Sequence, residues 1–92
     1  MEQFRNKIDA IDRKMIELLN TRMKYAIHLG EIKERLNLPV YMPEREKEVI
    51  HNILMNNHGP LSNDAARRLY ERIIDESRRV EREHSETNKT KK

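Results

Sequence analysis

The chain contains no cysteine and no tryptophan, one phenylalanine, two glycines and three prolines. Without cysteine there is no disulfide framework, no thiolate metal site and no sulfur nucleophile. So few glycines and prolines exclude a loop-rich β fold, which needs them at its turns. Four histidines are scattered without metal-ligand spacing. No apolar run is long enough to span a membrane, and the opening Met1-Glu2-Gln3-Phe4-Arg5 lacks the apolar core of a secretion signal. A cytoplasmic location is therefore expected. Charge of one sign is also scarce: 19 Lys and Arg against 16 Asp and Glu leave a net +3, part of it in Lys89-Thr90-Lys91-Lys92. Both signs are interspersed, as on a solvated helix face, which argues against a nucleic-acid-binding stripe.

What is present is helical period. Ninety-two residues, 36% hydrophobic and 38% charged, allow one domain with a modest core. Steps of four and three residues connect Phe4, Ile8, Ile11, Met15, Leu18, Arg22, Tyr25, Leu29, Ile32 and Leu36. This stripe predicts one long helix from about Glu2 to Leu36, ended by Asn37-Leu38-Pro39 because the residue before proline disfavours the α conformation. Pro43 suits the first turn of a second helix, with Glu44 and Glu46 near its positive end and Val49, Ile50, Ile53 and Leu54 on its buried side. Asn57-His58-Gly59-Pro60 stops it. Ser62 or Asn63 caps a third helix with the stripe Ala66, Leu69/Tyr70, Ile73/Ile74, Ser77, Val80/Glu81. Periodicity fades at Ser85, so residues 1–84 read as the domain and 85–92 as a disordered polar and basic tail.

The length of the first helix has a consequence. About 35 residues extend ~50 Å, whereas a compact chain of this size has a radius of gyration of ~12 Å. The helix overhangs any single-chain globule, and its apolar stripe runs to both ends. The simplest cover is the same helix of a second subunit, giving a two-fold dimer. The alternative is a break near Gly30 and a monomeric bundle.

Several polar residues stand where apolar ones belong. Arg22 is the only charge among the ten stripe positions. A buried guanidinium needs a partner. Either a glutamate supplies a structural ion pair, or an anionic ligand does, for which the planar fork of arginine is suited. Lys33 follows eleven residues later, on the same face to within ~20° and ~16 Å further along; alone it also reads as a surface lysine. Arg5 precedes Arg22 by ~25 Å, so it reaches the same ligand only from a partner chain; otherwise it is an exposed base. Glu46 continues the apolar side of the second helix, with Arg45 beside it, and it also fits as a first-turn carboxylate. Ser77 and Glu81 share a face of the third helix, where a helix end turning polar is the plainer account. All three helices place polar groups on sides that should be buried.

These residues, in this order, resemble the all-helical AroQ class of chorismate mutases over about residues 3–82. Phe4-Arg5-Asn6-Lys7-Ile8-Asp9-Ala10-Ile11-Asp12 is similar to that family's opening, followed by Leu18-Leu19-Asn20-Thr21-Arg22, then Gly30-Glu31-Ile32-Lys33. Val40-Tyr41-Met42-Pro43-Glu44-Arg45-Glu46 is similar to its loop and second-helix start. Asn57-His58-Gly59-Pro60-Leu61 resembles mutase domains fused to, or associated with, other enzymes of aromatic biosynthesis, which implies such an enzyme as a partner. The resemblance implies an intertwined all-α homodimer that rearranges chorismate to prephenate without cofactor or metal. Arg22, and Arg5 of the other chain, would grip the two carboxylates. Lys33 would donate to the ether oxygen and a carboxylate, and Glu46 would accept from the ring hydroxyl. Arg45 would support the carboxylate network and position Glu46. Ser77 would contact a carboxylate, Met42 would offer its backbone N–H, and Glu81 would be the second donor to the ether oxygen. Two positions depart from the pattern: Met42 stands where relatives often carry a charge, and Glu81 where some carry Gln. A carboxylate cannot donate a hydrogen bond, so Glu81 would act as the neutral acid. Two other readings stay open on the same scaffold: an isochorismate-pyruvate lyase, and a weakly active, partner-dependent regulatory domain.

Overall fold

Three helices form: α1 over Glu2–Arg35, α2 over Pro43–Met55 and α3 over Asn63–Thr90. The computed structural model describes residues 1–90, with side chains through Thr87, and contains no strand among them. None of its helices is long and apolar enough to cross a membrane.

The helix ends follow local chemistry. At the end of α1, Asn37 takes a left-handed conformation with φ 57°, which asparagine tolerates better than most residues. Its N–H donates to Glu34 O at 3.2 Å, and Leu38 N–H to Lys33 O at 2.7 Å. This paired return satisfies two of the terminal carbonyls of α1. It stops the helix two residues before the Leu38–Pro39 bond that forecast the break. Pro43 opens α2, where Met42 O accepts from Arg45 N and Glu46 N at 3.1 and 3.2 Å. Between the two proposed caps of α3 the structure selects Ser62, whose Oγ accepts from Ala65 N at 3.1 Å.

Two expectations change. Helix α1 runs through Gly30 without interruption, which removes the broken-helix bundle. Helix α3 continues through Ser85–Thr90, where a disordered tail was expected; Thr87 Oγ1 bonds back to Glu83 O at 2.9 Å within it. Helix propagation needs only one backbone bond per added residue, so loss of an apolar stripe does not itself end a helix. Lys91 and Lys92 lie outside the described residues.

Helix α3 packs on both α1 and α2. The buried centre is small: Ala26 from α1, with Ala66, Ile74, Ser77 and Glu81 from α3. The N-terminal half of α1 projects past it, in a molecule 53 Å long and 14 Å thick. Phe4, Ile8, Ile11, Met15 and Leu18 are all more than half exposed there. Each such side chain forgoes roughly half of the about 1.5–3 kcal/mol that going from full exposure to full burial gives.

Candidate active site

The inner face of α1 meets α3 along its C-terminal half, where polar contacts flank the buried Ala26 and Ile74. Arg22 donates from Nη1 to Ser77 Oγ at 2.5 Å. Ser77 in turn donates to Ile73 O at 2.9 Å, a back-bond to its own helix that fixes the hydroxyl. One turn further along α3, Lys33 Nζ lies 3.3 Å from Glu81 Oε2 and donates to Val40 O, also at 3.3 Å. Both partners of this ion pair are shielded, with side chains 17% and 7% exposed. Lys33 thereby ties the loop before α2 to α1.

Gly30 explains how Glu81 fits. A Cβ at position 30 would stand 3.2 Å from Glu81 Cγ and 3.3 Å from its Cβ. The bare backbone of α1 is what allows α3 to bring a carboxyl this close. Burial pushes the Glu81 carboxyl above the ordinary range, and the nearby charge of Glu46 pushes the same way. The Lys33 ammonium opposes both but does not cancel them.

These groups surround one cavity of about 240 Å³, open on one side. Arg22 and Lys33 from α1, Met42, Arg45 and Glu46 from the loop and α2, and Ser77 and Glu81 from α3 line it. Seven of the eight residues forecast from sequence therefore converge. The eighth, Arg5, stands on the exposed arm of α1, 3.5 Å from Glu2. On its own chain it is roughly 25 Å from Arg22, as the helical rise requires.

Charge bookkeeping separates Arg22 from its neighbours. Lys33 has Glu81, and Arg45 has Glu48. Among the described residues no carboxylate pairs with Arg22, whose side chain bonds only the neutral Ser77 hydroxyl. The structural ion pair that would have explained Arg22 does not form. An unpaired, half-buried guanidinium facing a cavity can receive an anion.

Arg45 lines the cavity, but its ion pair is not with Glu46. It turns to Glu48, one helical turn ahead. Successive residues on a helix point about 100° apart, so Arg45 and Glu46 cannot face each other, whereas i and i+3 can. The cation at Glu46 comes instead from α3: Arg78 Nε is 3.1 Å from Glu46 Oε2. Arg78 was not among the residues expected at the site, and Gly30 was expected only as a possible helix break. The available signal for Arg78 was its place four residues after Ile74 and next to Ser77, on the edge of the buried stripe.

The chain also resembles known proteins. The family model described as chorismate mutase type II matches residues 4–82. The bifunctional chorismate mutase/prephenate dehydratase of Aquifex aeolicus is 40% identical over 78 residues, covering 80% of this chain and 22% of the relative. The chorismate mutase of Methanocaldococcus jannaschii is 30% identical over 96 residues, covering 100% of this chain and 96% of the relative. This chain thus spans about a fifth of the bifunctional relatives and nearly all of the Methanocaldococcus protein. Among solved structures, a chorismate mutase from Thermus thermophilus superposes with a TM-score of 0.86 at 28% identity, over 88% of this chain and 92% of that one. The chorismate mutase from Helicobacter pylori in complex with prephenate gives 0.85 at 26% identity, over 92% of each chain.

Proposed function

The chain belongs to the chorismate mutase type II family, and on that premise we propose that it converts chorismate to prephenate in the cavity between its three helices. The observation that carries the reading is Arg22, a cation built into the cavity with no carboxylate of its own among the described residues. Chorismate brings two carboxylates. Its rearrangement is intramolecular: one C–O bond of the enolpyruvyl ether breaks as a C–C bond forms, with no group gained or lost. The protein's task is then to hold a compact conformer and to stabilise charge developing on the ether oxygen. Arg22 takes one carboxylate, with Ser77 beside it. Lys33 donates to the ether oxygen and a carboxylate, and Glu81, as the neutral acid, donates to the ether oxygen. Glu46 accepts from the ring hydroxyl. Met42 presents backbone N–H, and Arg45 lends positive potential at the rim.

The site is completed by a second copy. The exposed stripe from Phe4 to Leu18 supports this, because an isologous dimer would bury it. Pairing these arms antiparallel brings Arg5 of the other subunit to the second carboxylate and closes the open side of the cavity. The active form is accordingly a cytoplasmic homodimer with two composite sites. The fused dehydratase of the bifunctional relatives makes an enzyme consuming prephenate the natural neighbour.

The test is chorismate disappearance with purified chain, with native mass measured on the same sample. Prephenate formation by a species of twice 11.1 kDa is expected. No turnover, or full turnover by a species of single mass, would count against the scheme.

Gly30→Ala gives a more local test. Alanine favours helix by about 1 kcal/mol over glycine, but its Cβ would press on Glu81. The gain and the crowding oppose each other, so stability should move by less than about 1 kcal/mol. Activity should fall roughly tenfold or more, because Glu81 must shift by tenths of an ångström. Unchanged kcat/KM in a folded variant would show that Glu81 needs no such fit.

A further inference from the structure

Helix α3 carries two adjacent arginines, and their surroundings differ. Arg79 is 63% exposed and pairs with Glu76 and Glu83 along its own helix in solvent. Arg78 is turned inward, its side chain only 26% exposed. Its Nε stands 3.1 Å from Glu46 Oε2 on α2. Its Nη2 meets Asp75 Oδ1 one turn back on α3. Its guanidinium lies under the ring of Tyr41, 4.9 Å from the centroid, in the loop that leads into α2. One side chain therefore joins α3, α2 and the loop. The Nε contact lacks the alignment of a hydrogen bond, so its attraction is charge on charge.

We propose that Arg78 is the positioning residue for Glu46: it fixes the Glu46 carboxylate toward the cavity, and its stacking on Tyr41 fixes the loop before α2. The inference rests on the mutase reading, in which Glu46 accepts from the ring hydroxyl. Three features carry it. The two cations next in sequence to Glu46 are engaged elsewhere, Arg45 by Glu48 and Lys47 by Glu44. Among the described residues Arg78 is the only cation paired with Glu46. Its contact is with Oε2 alone, which leaves Oε1 for a hydrogen bond to the substrate. The loop is then gripped from both sides, with Lys33 of α1 bonding Val40 O and Arg78 of α3 stacking on Tyr41. A purely structural strut between α2 and α3 would use the same contacts, so the experiment must separate the two roles.

A hydroxyl acceptor binds ground state and transition state alike, so its misplacement raises KM more than it lowers kcat. Arg78→Met should raise KM for chorismate about tenfold and change kcat less than about threefold. Arg78→Lys keeps the charge and should recover most of the loss. In a Glu46→Gln background, Arg78→Met should add less than about twofold, because two residues acting through one contact are not additive. Arg78→Gln, polar but uncharged, is measured alongside in case the methionine variant folds poorly, and should show the same dependence on Glu46. An equal KM penalty with and without Glu46 would mean that Arg78 touches substrate or merely braces the fold, and would overturn the proposal. So would an unchanged KM in Arg78→Met or Arg78→Gln. An inactive wild-type chain would overturn the mutase reading and this one with it; an active wild type insensitive to Arg78 overturns this one alone.

Discussion

Arg22→Ala should lower kcat/KM by on the order of a hundred- to a thousandfold while leaving the fold as stable as before. The two halves of this expectation come from the same geometry. Arg22 gives up only one internal bond, to Ser77 Oγ, and Ser77 keeps its bond to Ile73 O. Losing that bond costs about 1 kcal/mol. Removing a half-buried cation with no carboxylate partner returns part of its desolvation cost, so the unfolding midpoint should hardly move. The activity side is different. Truncating one member of a desolvated, hydrogen-bonded charge pair costs about 2–5 kcal/mol, and each 1.4 kcal/mol is tenfold. Near-normal turnover would make Arg22 structural, and a collapse of stability would mean that it holds α1 to α3.

A mixing experiment extends this to the second chain. Arg5→Ala and Arg22→Ala should each be nearly inactive alone. In a hybrid dimer with Arg5 donated across chains, one site carries both lesions and the other neither. Random reassortment makes half the dimers hybrid, each with one intact site, so about a quarter of wild-type activity should return. No recovery after subunit exchange would count against donation of Arg5 across chains.

How much of this was legible in the residues follows from what one helix can reveal. The positions of Arg22, Ser77 and Glu81 were readable because each interrupts an apolar stripe, and a stripe reports which side is inward. The end of α1 was readable from Pro39, although the conformation that ends it belongs to Asn37. Arg78 was only weakly marked, by its place at the edge of the α3 stripe. In Ser77-Arg78-Arg79 two identical side chains stand side by side, and only the placement of α2 decides which is buried. For the same reason sequence adjacency did not reveal that Arg45, which lines the cavity, pairs with Glu48 and not with Glu46. In the sequence Gly30 reads only as a possible break and as part of a motif; its use appears once Glu81 of α3 lies against it. Periodicity locates inward faces, and the contacts between helices decide what each inward group does.

The second large effect concerns pH. Glu81 is 7% exposed, and burial places its carboxyl above the ordinary range against the pull of Lys33. Bound chorismate would add two further negative charges nearby and favour the neutral acid still more. Only that acid can donate to the ether oxygen. The wild-type kcat/KM should therefore be level at low pH and fall toward tenfold per pH unit above the Glu81 pKa. Glu81→Gln donates at every pH, so its profile should lose this descending limb and exceed wild type on the alkaline side. The stability of the free protein carries the same sign. A carboxyl whose pKa is raised by folding gives its full contribution below the unfolded value, and that contribution is lost as pH rises through the folded value. Wild type should lose stability relative to Glu81→Gln across that window, and the difference should be constant outside it. Parallel kcat/KM profiles for the two proteins would show that Glu81 acts as an anion, leaving Lys33 as the sole donor to the ether oxygen.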